Sequence, residues 1–130
     1  MKTSELTGAA LDWAVAKCWY SDRRVELTEG KMGVRVLRDP SYDGSEHSHW
    51  FVFFGSDNWA QGGPIIEKQR MDLNPHGVDS RNGRTQWRAA IQWLDEADFE
   101  GIGSTPLIAA MRCYVASKLG DEVEIPKELA

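Results

Sequence analysis

The stretch 104–120, STPLIAAMRCYVASKLG, constrains the fold of this 130-residue chain more than any other. Thr105 is a good N-cap, because its hydroxyl can accept a hydrogen bond from an amide of the first helical turn. Pro106 stands at the first helical position, where its missing N–H is harmless, and Gly120 lies where a helix would stop. The pattern predicts a helix with a buried face made of Leu107, Ile108, Met111, Tyr114, Val115 and Leu119.

A second helix is predicted near the N-terminus. Thr7 can cap its first turn, and Leu6 and Leu11 stand at the positions of a hydrophobic staple. An apolar stripe at helical spacing follows, made of Leu11, Ala14, Val15, Cys18 and Trp19. The chain therefore has an amphipathic helix close to each end.

Between the helices, short segments alternate apolar and polar residues or run apolar, as β-strands do. These candidate strands are Val25–Leu27, Val34–Leu37, Trp50–Phe54, Pro64–Leu73 and Thr85–Trp93. Trp50–Phe54 is apolar on both faces and is expected in the centre of a sheet, whereas 74–84 has turn residues throughout. The pattern predicts an α+β fold over residues 1–130: a single two-layer domain, with an antiparallel sheet of about three to five strands and both helices packed on one face.

The stretch 56–70, SDNWAQGGPIIEKQR, is the main candidate for a binding site. Gly62 and Gly63 free the backbone and Pro64 fixes φ, so a turn is expected before the strand that begins there. Trp59 is either an exposed interaction hot spot or a lid folded over the sheet edge. A pocket between segments 57–63 and 101–105 would be lined by the candidate binding residues Asp57, Asn58, Trp59, Gln61, Gly62, Gly63, Ser104 and Thr105.

Catalytic and metal sites are not indicated. No Ser-His-Asp arrangement or Cys-His pairing can be assigned, so no catalytic residue and no cofactor are predicted. Glu46, His47 and His49 could place two imidazoles on one side of a strand, but no third or fourth ligand is signalled. The favoured interpretation of Glu46, His47 and His49 is a polar segment before a strand. The sequence as a whole favours a protein that is not an enzyme.

The charge distribution disfavours nucleic acid as a partner. The formal net charge is −5, and residues 94–130 contain three basic and eight acidic side chains. Phosphate-backbone binding requires a positive face, which the chain lacks in general. No apolar run approaches the roughly 20 residues that cross a bilayer, and no apolar signal core follows the N-terminus. We therefore expect no membrane association and a cytoplasmic location. A homodimer through an edge strand, Val25–Leu27 or Val34–Leu37, is an open alternative.

Three blocks of the chain, SELTGAALDWAVAK, NWAQGGPIIEK and STPLIAAMRCYVASKLGDEV, carry a family resemblance. Taken together and in this order, they resemble the NinX-like family of small phage and prophage proteins of unknown function. The resemblance implies a tailed-phage or prophage origin and action inside a bacterial host. It supplies no activity, cofactor or catalytic residue.

Three functional hypotheses follow from these observations. The leading one is a non-enzymatic phage accessory protein that binds a host or phage protein in the bacterial cytoplasm. The first alternative is a small-molecule or nucleotide binder, for example one that sequesters a ligand used in host defence. The second alternative is an enzyme with an unrecognised site.

Overall fold

The computed structural model describes residues 1–30, 32–39, 49–92 and 99–130. After a short 3-10 helix, Thr3–Glu5, the first α-helix, α1, spans Gly8–Trp19, as the sequence predicts. Leu6 is fully buried ahead of it, whereas the Thr7 side chain makes no capping hydrogen bond.

The first sheet contains three antiparallel strands, β1 (Val25–Leu27), β2 (Val34–Leu37) and β3 (Trp50–Phe53), in the order β1-β2-β3. The three strands are where the sequence predicts them, but among the described strands β3 lies at an edge of this sheet, so the expectation of a central strand was wrong. The outer face of β3 remains open at Val52, which is about half exposed. Since β2 is central, Val34–Leu37 has no edge for a homodimer, whereas β1 does lie at an edge.

The second α-helix, α2, spans Trp59–Gln69, and it overturns two predictions. Gly62, Gly63 and Pro64 lie inside this helix, so they form no turn, and the predicted strand Pro64–Leu73 is wrong. Proline in a helix clashes with the preceding residue's Cβ and with a carbonyl one turn earlier. Glycine at position 63 removes the first of these clashes, and the complete burial of Ile65 favours the helical arrangement.

The second sheet comprises β4 (Asp72–Val78), β5 (Thr85–Ile91) and β6 (Phe99–Gly103), all antiparallel and in that order. β5 agrees with the sequence prediction. β4 runs through the first half of 74–84, which the sequence assigned entirely to turns. β6 was not predicted, because its segment FEGIG lacks the β-branched alternation of a typical strand.

The third α-helix, α3, spans Pro106–Leu119 and confirms the clearest sequence prediction. It packs on β6 at two glycines. A Cβ on Gly101 would collide with the carbonyl oxygen of Ala109, and one on Gly103 would lie 2.8 Å from the Ala109 nitrogen. Helix and strand backbones therefore approach more closely than side chains would allow. The sequence predicts Leu119 on the buried face of α3. That prediction is wrong, because 47% of this residue is exposed.

The α+β prediction is confirmed, with the difference that the antiparallel strands form two sheets of three strands in the described part of the chain. The hydrophobic core joins α1, α3 and residues of both sheets. Trp19 of α1 and Tyr114 of α3 meet edge to face with ring centroids 6.0 Å apart. Within the described ranges, none of the helices combines the length and apolar character needed to cross a bilayer.

Candidate functional site

Trp59 is exposed and lies at the first position of α2. Its exposed fraction is 55%, and two further large apolar side chains are exposed close by in the chain, Val52 at 51% and Phe54 at 42%. Val52 lies in β3, and Phe54 is the first residue after this strand. Of the two interpretations of Trp59, the structure therefore supports the exposed one.

The solvent-facing side of α2 also carries apolar residues. Trp59, Ala60, Gly63 and Pro64 are spaced so that they share one side of the helix, and Ala60 and Pro64 are exposed. An exposed helix face ordinarily carries charged or polar residues. We call five exposed apolar residues on and beside these two elements the α2–β3 surface: Val52, Phe54, Trp59, Ala60 and Pro64.

Gln61 holds α2 against the edge of β3. Its Nε2 donates a hydrogen bond of 2.8 Å to the Val52 carbonyl, and its Oε1 accepts one of 2.8 Å from the Phe54 amide. The side-chain amide thus pairs with the outer edge of the strand as a neighbouring strand would. Gln61, a candidate binding residue from the sequence, has both polar groups engaged in positioning the α2–β3 surface.

The chain enters α2 through two further hydrogen bonds. Asn58 is the N-cap, and its side-chain oxygen accepts a hydrogen bond of 2.8 Å from the Ala60 amide. The Ser56 amide donates a hydrogen bond of 2.9 Å to the carboxylate of Asp12, on α1. Burial raises the pKa of the Asp12 carboxyl, the hydrogen bonds from Ser56 oppose this change, and the charge of Asp57 adds to it.

Asp57 is exposed at the turn before the helix. The Asp57 amide donates a hydrogen bond of 2.9 Å to the Phe54 carbonyl, which closes this turn. Asp57 therefore lies in the segment that joins Phe54 to Trp59. Its side chain gives this segment a negative charge.

Gly62 lies in close contact with Gly55 and with α3. A Cβ on Gly62 would lie 2.5 Å from the carbonyl oxygen of Gly55 and 2.7 Å from the Leu107 side chain on α3. Gly62 and Leu107 are therefore in close contact, and Leu107 lies just after the 101–105 segment that the sequence places opposite 57–63. A pocket between 57–63 and 101–105 stays a prediction.

The two candidate residues before α3 have different surroundings. Thr105 is the N-cap of α3, and its Oγ1 accepts a hydrogen bond of 3.1 Å from the Ile108 amide. Ser104 is exposed and lines a different cleft of about 490 Å³, beside the N-terminal residues Thr3 and Ser4. The structure thus separates Ser104 from Asp57 and Trp59.

The metal hypothesis rests partly on residues that the structure does not describe, since Glu46 and His47 lie outside the described ranges. Within those ranges, no three His, Cys, Asp or Glu side chains come together in an arrangement that could hold a metal ion.

Sequence reasoning found Trp59 but missed Val52 and Phe54 as its partners at the surface. Trp50–Phe54 was assigned to a central strand, in which both side chains would be buried. A weak signal was present, because a run of five apolar residues is also compatible with an edge strand that displays one apolar face. Asp12 was missed because a single acidic residue within a helix ordinarily faces solvent.

A sequence model of a protein family described as "Bacteriophage P22, NinX" matches residues 2–118. The chain belongs to this family. The match runs from the N-terminal 3-10 helix to the last turn of α3, and it confirms the resemblance carried by the three sequence blocks. NinX membership indicates a phage accessory protein. No curated protein matches the chain.

Proposed function

We propose that this NinX-family protein is a non-enzymatic phage accessory protein that binds a host or phage protein in the bacterial cytoplasm. The α2–β3 surface is the binding site, and Trp59 is its anchor. The observation that carries the proposal is the exposure of Val52, Phe54 and Trp59 on two segments that Gln61 joins by hydrogen bonds. Neighbouring exposed apolar side chains mark interaction sites more often than scattered ones do.

The surface is held in one geometry before binding. Gln61 joins α2 to β3, and Asn58 caps the helix on which Trp59 lies. A preorganised aromatic residue loses little conformational entropy when it enters a partner's pocket. Tryptophan is among the residues that contribute most to binding at such positions.

The charge beside the surface favours a partner with a basic residue next to an apolar pocket. Asp57 is exposed near Trp59, and the whole chain carries a formal net charge of −5. Complementary charges around an apolar centre speed association and exclude partners of like charge. The proposed partner is therefore a protein with a basic rim around a pocket that accepts an indole ring.

Affinity capture from phage-infected bacteria tests the proposal. Wild type, Trp59→Ala and the control Val78→Ala are compared by quantitative mass spectrometry, because Val78 is 64% exposed on β4, outside the α2–β3 surface. We expect a protein that is captured by wild type and Val78→Ala and lost with Trp59→Ala. The purified pair should then bind directly, and Asp57→Lys should weaken that binding. Equal capture by all three forms would reject the proposal.

A further inference from the structure

A cleft with a mixed polar and apolar lining lies along β6 and shares no residue with the α2–β3 surface. Its volume of about 490 Å³ falls within the range of roughly 300–1,000 Å³ that is typical of small-molecule sites. One wall is the segment Thr3–Thr7, the second is β6 with Ser104, the third is α3, and Arg81 and Gln86 line the cleft from the β4–β5 hairpin. The residues of α3 that face it, Ile108, Arg112 and Ala116, are each four apart and so lie in one row.

Arg112 joins two walls of this cleft. Its Nε donates a hydrogen bond of 2.9 Å to the Leu6 carbonyl, and its Nη1 donates one of 2.7 Å to the Ile102 carbonyl. Its guanidinium is therefore fixed by both the N-terminal segment and the edge of β6. Three of the five N–H groups of a guanidinium remain after these bonds, one on Nη1 and two on Nη2, and they can donate to an anion.

The positive charge of Arg112 has no carboxylate partner among the residues that the structure describes. Burial alone lowers the pKa of its guanidinium, without a contribution from any acidic group. By contrast, Arg88 pairs with Glu100 at 2.7 Å and Arg81 with Asp79 at 3.3 Å. Of the arginines and acidic residues around the cleft, Arg112 is therefore the cation with a charge still to be matched.

The other groups of the cleft include hydroxyls, the amide of Gln86 and the charged side chains of Arg81 and Glu100, which pair with Asp79 and Arg88. Ser4, Thr7 and Ser104 contribute exposed hydroxyls, and the Thr7 side chain does not cap α1. Asp121 adds a carboxylate that can accept a hydrogen bond from a ligand hydroxyl. Ile102 and Ile108 supply apolar contacts. A ligand that fits these groups has an anionic end and a hydroxyl-bearing body.

We propose that this cleft binds a small phosphomonoester that also carries hydroxyl groups, the chemistry shared by nucleoside monophosphates and sugar phosphates. Arg112 holds the phosphate, and the hydroxyls of Ser4, Thr7 and Ser104 donate hydrogen bonds to its oxygens. Asp121 accepts a hydrogen bond from the sugar. This site is independent of the proposed protein-binding function, because it shares none of its residues with the α2–β3 surface.

Two-dimensional NMR of the full chain tests the site with four probes: adenosine monophosphate, ribose 5-phosphate, inorganic phosphate and adenosine. We expect both phosphomonoesters to shift the amide signals of Ile102, Gly103 and Ser104, and inorganic phosphate to do so more weakly. If only adenosine monophosphate binds, the ligand is a nucleotide; equal binding of ribose 5-phosphate assigns a sugar phosphate. Failure of both phosphomonoesters at millimolar concentration, or binding of adenosine alone, would overturn the proposal.

Ser104→Glu tests whether the cleft binds a negatively charged group. It leaves Arg112 and its structural hydrogen bonds in place. The new carboxylate lies in the cleft and repels a phosphate, so we expect affinity to fall about tenfold or more. Ser21→Glu, at an exposed position of the turn after α1, is the control for added charge and should bind as wild type does. Equal affinity of wild type and Ser104→Glu would contradict the site, and Trp59→Ala should have no effect on it.

Discussion

The backbone amide of Ser56 donates a hydrogen bond of 2.9 Å to the carboxylate of Asp12, which is 5% exposed on α1. This contact ties the turn before α2 to the first helix, 44 residues earlier in the chain. It fixes the turn that carries Asp57 and leads to Trp59. The orientation of the proposed binding surface therefore depends on a buried acidic group.

Asp12→Asn is expected to flatten the dependence of stability on pH. Burial raises the pKa of Asp12 above its ordinary value of 3.8, so the folded protein keeps a proton that the unfolded chain has already lost. The resulting stabilisation is complete below the ordinary value and is lost as the pH rises through the folded-state pKa. The asparagine oxygen can still accept the hydrogen bond from Ser56, so the variant should be at least as stable as wild type at neutral pH.

The free energy of unfolding by urea, measured across the acidic range, checks this expectation. Asp57→Asn is the companion variant, because the charge of Asp57 contributes to the raised pKa of Asp12. It should lower that pKa, as followed by the NMR signal of the Asp12 carboxyl carbon. If the stability of Asp12→Asn depended on pH as that of wild type does, the raised pKa of Asp12 would be contradicted.

Gly62→Ala is expected to destabilise the fold by about 1–3 kcal/mol, since the added methyl overpacks the contact with Gly55 and Leu107. Gly63→Ala is the matched control. A Cβ at Gly63 meets no atom within 4 Å outside its neighbours, and its effect should stay within about 1 kcal/mol, because higher helix propensity and the clash before Pro64 oppose each other. Chemical denaturation measures the free energy of unfolding of both variants. Equal losses of stability would argue against the close approach of α2 and α3.

Gln61→Ala is expected to cost about 1–2 kcal/mol of stability, because two hydrogen bonds to the β3 edge are lost. The Phe54 amide should also exchange with solvent faster, which hydrogen-exchange NMR can follow. Gln69→Ala, at the last residue of α2, is the control and should remain within about 0.5 kcal/mol of wild type. Unchanged exchange at Phe54 would show that Gln61 does not hold the edge.

Thr105→Ala and Thr7→Ala form a pair that tests helix capping. Thr105 accepts a hydrogen bond from the Ile108 amide, whereas the Thr7 side chain makes none at the start of α1. We expect a loss of about 1 kcal/mol for Thr105→Ala and less than about 0.5 kcal/mol for Thr7→Ala. Thermal and urea unfolding measure the stability of both variants. A larger loss of stability for Thr7→Ala than for Thr105→Ala would contradict the assignment of Thr105 as the capping residue.

The sequence predicted the elements whose signals are local. For α3, the cap at Thr105, the proline after it and Gly120 all lie within one segment. For α2, the decisive interaction is distant, because Gly62 permits contact with Gly55 and Leu107. Its Gly-Gly-Pro segment has low intrinsic helix propensity, so tertiary packing determines the outcome.

The candidate binding site, like the fold, was predictable only where its signal is local in the sequence. Trp59 was recognised from its polar and glycine-rich surroundings, but its exposure depends on how α2 packs. Val52 and Phe54 were missed because strand order decides which apolar strand lies at an edge, and strand order is not encoded locally. β6 was missed for a related reason: Gly101 and Gly103 serve the approach of α3 rather than the strand itself.

Site-specific photo-crosslinking tests the central claim, that the α2–β3 surface binds a protein, most directly. A photoreactive phenylalanine analogue is placed at position 59 and, as the control, at the exposed position 78 on β4. After irradiation of phage-infected bacteria, we predict one host or phage protein linked through position 59, absent at position 78 and reduced by Asp57→Lys. The same cross-linked proteins at both positions, or none at position 59, would contradict the account.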